Sequence, residues 1–115
     1  MTASSLKIRI SHEGNIALGP GKVELLKCIE QHGSISAAAK QMRMSYRRAW
    51  ELVDMMNRCF DQPVVVSTAG GSHGGGAQVT AFGRALMQAY QQILHKSAQA
   101  AADELHLITK HLKKT

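Results

Sequence analysis

Two amphipathic segments follow one another between Ser34 and Phe60 with almost no chain between them, and this spacing restricts the fold more than any other feature. Ser34 or Ser36 can cap the first, with Ile35, Ala38, Ala39 and Met42 on one helical face. Ser45 can cap the second, whose inward face is Ala49, Leu52, Val53, Met56 and Phe60 and whose outward face is Arg47, Glu51, Asp54 and Arg58. Only a few residues around Arg43 and Met44 join the two. A connection that short makes the helices cross steeply, which is the geometry of a helix-turn-helix. Helix spacing alone fits an ordinary three-helix bundle with a solvated basic face equally well.

The flanking chain supplies further elements. Leu6 to Ile10 alternates apolar and basic residues, as a half-buried strand does. His12-Glu13-Gly14-Asn15 is turn chemistry and Ile16 and Leu18 resume the alternation, so a β-hairpin is predicted over residues 1–18. Pro20 suits the opening of a helix, Val23, Leu26 and Ile29 form its stripe beside Leu25 and Cys28, and Gly33 suits a left-handed cap. Pro63 ends the helical section. Val64-Val65-Val66 and Gln78-Val79 read as paired strands around five glycines in the seven residues 70–76, a wing over 63–79. Thr80 caps a last helix over 80–112 that is expected to bury Phe82, Leu86, Ala89, Tyr90 and Ile93. Beyond them Leu94, Ala98, Ala101, Leu105, Ile108 and Leu112 form a heptad-like stripe, which a second copy of the same helix would cover. The predicted fold is mainly α with small β: one winged helix-turn-helix domain, residues 1–115, with an N-terminal β-hairpin, a β-wing and a long C-terminal dimerisation helix.

Charge is uneven along this framework. The formal net charge is +6, and between Lys40 and Arg58 five cationic residues (Lys40, Arg43, Arg47, Arg48, Arg58) face two acidic ones. A basic balance placed on one helix suits a polyanionic partner. No apolar run reaches the roughly 18–20 residues of a membrane span, and no signal peptide is evident, so a cytoplasmic location without membrane contact is expected. Cys28 and Cys59 lack a CxxC or a Cys/His ligand set and read as reduced, buried thiols. No histidine spacing suits a metal, no nucleophile and base pair up, and no cofactor is expected. The glycine run matches neither GxxxxGK[ST] nor GxGxxG. Its backbone amides suit either a tip lying along a nucleic-acid backbone or a merely flexible loop. Trp50 reads as a core or interface residue.

These features converge on double-stranded DNA as partner. A recognition helix needs a free N-terminus, polar side chains there and an apolar back. Ser45, Tyr46, Arg47 and Arg48 meet the first two needs, and Ala49, Val53 and Met56 meet the third. The candidate DNA-contacting set is Ser34, Ser36, Lys40, Arg43, Ser45, Tyr46, Arg47 and Arg48, with His73, Gly74 and Gly75 in the wing. A protein-interaction module and a non-specific, nucleoid-type DNA binder are the alternatives, and no enzyme activity is expected.

The segment Gly33-Ser34-Ile35-Ser36-Ala37-Ala38-Ala39-Lys40-Gln41-Met42 resembles the second helix of LysR-type and ModE-type regulators. Ser45-Tyr46-Arg47-Arg48-Ala49-Trp50 followed by Leu52-Val53-Asp54-Met55-Met56-Asn57 resembles the ModE family specifically, as does the glycine-rich wing leading into Val79-Thr80-Ala81-Phe82-Gly83-Arg84. LysR-type proteins share the Ser-Ala-Ala-Ala helix and the Thr-x-x-Gly entry but usually lack this wing. The resemblance covers roughly residues 33–86 and implies a dimerising winged-helix DNA-binding domain that regulates transcription, in the full-length family in response to molybdate. The sequence given has no room for a C-terminal oxyanion-binding module, so molybdate binding by these 115 residues is not expected. The wing also departs from the family in having no Lys or Arg from Pro63 to Gly83, where His73 is the single titratable side chain.

Overall fold

A computed structural model describes residues 6–71 and 74–114. Its centre is helix α1 (Pro20–His32), which Pro20 opens at the first turn and Gly33 closes in the left-handed conformation, φ 78°. The Gly33 amide donates to the Ile29 carbonyl at 2.7 Å, so the last turn is satisfied as the chain leaves it. Val23, Leu25, Leu26, Cys28 and Ile29 are buried along α1. Against them pack α2 (Ile35–Gln41), α3 (Tyr46–Cys59) and α4 (Ala81–Ala100).

The N-terminal hairpin is shorter than its alternation predicts. Strand β1 is Ile10–His12 and β2 is Asn15–Leu18, paired antiparallel with Ile10 opposite Leu18. Residues 6–9, expected as the body of the strand, lie outside the ladder. The limit lies at the far end of β2, where Pro20 opens α1 directly after Gly19, while the left-handed pair Glu13 (φ 49°) and Gly14 (φ 82°) makes the two-residue loop that fixes register. A four-residue return strand then reaches back only to Ile10. Two side chains fasten this region to the helices instead, as the Tyr90 hydroxyl donates to the Ile8 carbonyl at 2.7 Å and the Lys22 ammonium donates to the Ile16 carbonyl.

The second hairpin, β3 (Val65–Gly71) and β4 (Gly74–Val79), pairs Val65 with Val79 and Ser67 with Ala77. Its root is locked by Asn57, whose Oδ1 accepts from the Val64 amide at 2.7 Å and whose Nδ2 donates to the Val65 carbonyl at 3.1 Å. The Ala77 amide donates to the Gly33 carbonyl at 2.9 Å, so the wing also rests on the end of α1. A Cβ on Gly76 would lie 2.8 Å from that carbonyl oxygen, which explains glycine there. The order hairpin, α1, α2, α3, hairpin, α4 is that of a winged helix-turn-helix, mainly α with small β.

Thr80 caps α4, its Oγ1 accepting from the Gly83 amide at 2.9 Å. The buried face of α4 is Gly83, Met87 and Tyr90, with Leu94 half-buried behind them; Ala89 and Ile93, expected inside, are exposed. Gly83 sets this phase. Its backbone presses on Val64, so close that a Cβ would meet the Val64 carbonyl oxygen at 2.5 Å and Val79 Cγ1 at 2.7 Å. Positions four, seven and eleven residues on then face the core. The helix expected to run unbroken to residue 112 is interrupted at Ala101 (φ −104°, ψ 19°), and α5 spans Ala102–Thr109. Beyond Leu94 no described residue is buried, and the radius of gyration is 16.6 Å. A compact domain of this length would have about 13 Å.

The Gly83 contact yields a stability prediction. Gly83→Ala is expected to lower unfolding free energy by about 1–3 kcal/mol, because the added methyl meets a backbone carbonyl that cannot swing aside. Gly21→Ala, where nothing lies within 4 Å of the added atom, is the control and should stay within about 0.5 kcal/mol. Urea unfolding followed by circular dichroism checks both.

Candidate nucleic-acid interface

Local hydrogen bonding builds the turn between α2 and α3. Ser34 is the cap of α2, with Oγ accepting from the Ala37 amide at 3.0 Å, while Ser36 is exposed within the first turn. At the other end the Met44 amide donates to the Ala39 carbonyl at 3.0 Å and the Arg43 amide to the Lys40 carbonyl at 3.2 Å. This is a Schellman closure with Arg43 in the glycine position, φ 59°. A non-glycine residue there costs of order 1 kcal/mol. The result is an exposed guanidinium beside the start of α3, with exposed Lys40 one turn earlier.

Helix α3 begins at a free end. Ser45 Oγ accepts from the Arg48 amide at 3.0 Å, and Ala49, Val53 and Met56 are buried behind it. Leu52 and Phe60 pack partly buried against the same core. Tyr46, Arg47, Arg48 and Trp50 are all exposed, and the Arg47 side chain is 88% accessible. Successive residues on a helix diverge by about 100°, so Arg47 and Arg48 point to different sides. Arg47 lies at the centre of the outward face, where its Nε sits 3.5 Å from Glu51 Oε2. Arg48 turns toward the hairpin and lines an open groove of about 930 Å³ with Lys7, Arg9, Leu52 and Met55. Asp54 and Arg58 form a second pair at 3.0 Å. Pairs this exposed contribute a few tenths of a kcal/mol and serve mainly to hold rotamers.

Trp50, expected in the core or at an interface, lies outside the core. Its accessibility is 48%, and it borders a notch formed with Ile35, Val53 and Val66 between α3 and the wing. The sequence carried the signal: Trp50 is one residue past the buried phase of 49, 53 and 56, and four residues after exposed Tyr46. Lys7, Arg9 and Asn57 are further residues that spacing did not single out; the first two border the groove and the third seats the wing. Gly74 and Gly75 lie in β4, and His73 lies outside the described residues. Burial holds the Lys22 ammonium below its ordinary pKa, and Arg48 nearby acts in the same direction. Cys28 is buried, which pushes its thiol upward, while Cys59 is only partly covered; both are free. Among the described residues no cluster of three or more His, Cys, Asp or Glu is placed to hold a metal, and no helix is long and apolar enough to cross a membrane.

No protein-family model matches the chain. It is 40% identical over 107 residues to the molybdenum transport protein ModE of Azotobacter vinelandii, covering 91% of this chain and 39% of that protein. It is 38% identical over 88 residues to the DNA-binding transcriptional dual regulator ModE of Escherichia coli K12, covering 74% of this chain and 34% of that protein. With the molybdenum-pterin-binding protein MopB of Rhodobacter capsulatus it shares 45% identity over 76 residues, 66% of this chain and 28% of the other. The chain is related to the ModE family. It spans little more than a third of the length of these relatives at most.

In this ModE relative the C-terminal stripe divides. Leu94 is half-buried against its own core, and Ala101 and Leu105 are half-covered. Ala98, Ile108 and Leu112 are exposed, as are Ile93 and Leu107, which the heptad spacing left out. The capping assignments give the next prediction. Ser34→Ala and Ser45→Ala should each cost about 1 kcal/mol of unfolding free energy. Ser36→Ala, which removes no cap, should leave the urea midpoint unchanged.

Proposed function

We propose that this chain binds duplex DNA sequence-specifically and regulates transcription, acting as two copies on a roughly palindromic site. The observation that carries the reading is Arg47, 88% accessible in the first turn of a capped helix whose back is buried. A helix in the major groove reads bases from such positions, and arginine matches guanine O6 and N7 bidentately. The printed function of the Escherichia coli relative, a DNA-binding transcriptional dual regulator, supports the same reading. On this reading Tyr46 and Ser45 contact phosphate or a base edge, and Ser34, Ser36, Lys40 and Arg43 the adjoining backbone. Gly74 and Gly75 offer wing amides. No catalytic step is part of the proposal.

Two copies follow from the exposed apolar residues of α4 and α5. One recognition helix reads only a few base pairs, and a two-fold pair presents two helices about 34–36 Å apart. Ile108 is 61% exposed and Leu107 and Leu112 are similarly bare, an arrangement that a second copy of α5 relieves. A protein-docking module is the second reading, favoured by exposed Trp50 and Val66. Salt separates the two, because phosphate neutralisation makes duplex affinity fall steeply with ionic strength.

The test begins with selection of bound duplexes from random DNA. Arg47→Ala with Arg48→Ala is expected to lose about 1–3 kcal/mol for each base contact removed and to relax preference at that position. A folded double variant that holds the selected site as tightly as wild type refutes the recognition-helix assignment. Leu105→Asp with Ile108→Asp should give monomers in sedimentation that bind a half-site weakly. Wild type sedimenting as a monomer at micromolar concentration, with full site affinity, refutes the dimer.

A further inference from the structure

We propose that Lys7 and Arg9 form the phosphate clamp of this protein, on the flank of α3 facing the N-terminal hairpin, in place of the wing. The inference rests on the DNA-binding reading and adds to it the surface that grips the backbone. A helix seated in the major groove has a phosphate strand along each wall, and a cation on either flank of α3 strengthens the grip on it. The two flanks differ sharply. Trp50, Val53 and Asn57 face the wing, and the chain from Pro63 to Gly83 carries no Lys or Arg. Arg48, Leu52 and Met55 face the hairpin, across an open groove whose other wall includes Lys7 and Arg9.

The N-terminal segment is held in place for this role. The Tyr90 hydroxyl takes the Ile8 carbonyl at 2.7 Å, which pins the backbone between the two basic residues. Ile8 is half-buried while Lys7 and Arg9 are exposed, and neither takes part in an ion pair among the described residues. Lys22 also borders the groove, but its buried ammonium is engaged with the Ile16 carbonyl and fixes β2 to α1. The acidic residues of the groove, Glu51 and Asp54, are matched by Arg47 and Arg58. Uncompensated positive charge therefore collects at Lys7, Arg9 and Arg48, within reach of a backbone passing along the hairpin side. Lys7 and Arg9 stand on the hairpin wall rather than on α3, so they are expected to grip the backbone without reading sequence.

The experiment measures affinity against salt for the wild-type 115-residue chain and for Lys7→Gln with Arg9→Gln, on the selected duplex and on a scrambled one. Each phosphate contact contributes about 0.9 to the slope of log affinity against log salt. The double variant is expected to flatten the slope by about 1.8 on both duplexes, which corresponds to roughly 30-fold weaker binding at 0.15 M salt with unchanged base preference. Lys113→Gln with Lys114→Gln, an equal loss of charge at the exposed C-terminus, should leave the slope unaltered. An unchanged slope in the Lys7 and Arg9 variant overturns the clamp while leaving DNA binding standing. So does a loss confined to the selected duplex, or an equal loss in the C-terminal control. Wild type without salt-dependent duplex binding overturns both the clamp and the reading beneath it. Thermal unfolding of each variant verifies that the fold is retained.

Discussion

Val64 is the point on which the geometry of the molecule turns. Its amide donates to Asn57 Oδ1 at the end of α3, and its carbonyl accepts from the Thr80 amide at 2.9 Å. Its side chain is fully buried, and Gly83 of α4 lies against its backbone. One residue thus joins α3, the root of the second hairpin and the start of α4. Each bond satisfies a backbone group at a place where elements meet and no regular ladder is available. A shift at this junction would rotate α4 and with it the exposed apolar Ile93.

The helix-turn-helix depends on that junction for support and on its own chemistry for shape. Ser34 and Ser45 each satisfy an amide that helix geometry leaves unpaired. Arg43 closes α2 at φ 59°, where glycine would be easier, so the turn carries a cation at a conformational cost. Strain retained beside an exposed charged surface fits a site selected for binding more than for stability. The two arginines of the first turn then divide between the outward face and the hairpin flank, because a helix turns about 100° per residue. Outward and hairpin-facing charge, with an uncharged wing on the third side, gives the interface an asymmetry that a net charge of +6 does not express.

Much of this was legible in the residues. The caps at Ser45 and Thr80, the left-handed Gly33, the buried face of α3 and the glycine-rich hairpin are local matters of spacing and side-chain chemistry. Other features were illegible for stated reasons. Alternation from Leu6 to Ile10 fits a strand, yet α1 opens at Pro20 before β2 is long enough to pair with residues 6–9. A core or interface reading leaves two places open for Trp50, and its helical phase puts it outside the core. Ala89 and Ile93 were counted inward on a phase that Gly83 then rotated by its contact with Val64.

By itself, the sequence determined the element types, their order, the turn that crosses α2 over α3, and the basic first turn of α3. These follow from interactions between residues a few positions apart, which a linear reading can count. Tertiary structure alone decided which way α4 faces and that Leu94 serves its own core. It alone brought Lys7 and Arg9 beside Arg48, some forty residues on, through Tyr90 holding Ile8 and Lys22 holding Ile16. Contacts between distant segments depend on how whole elements pack, and no local pattern encodes the direction from which a neighbour arrives.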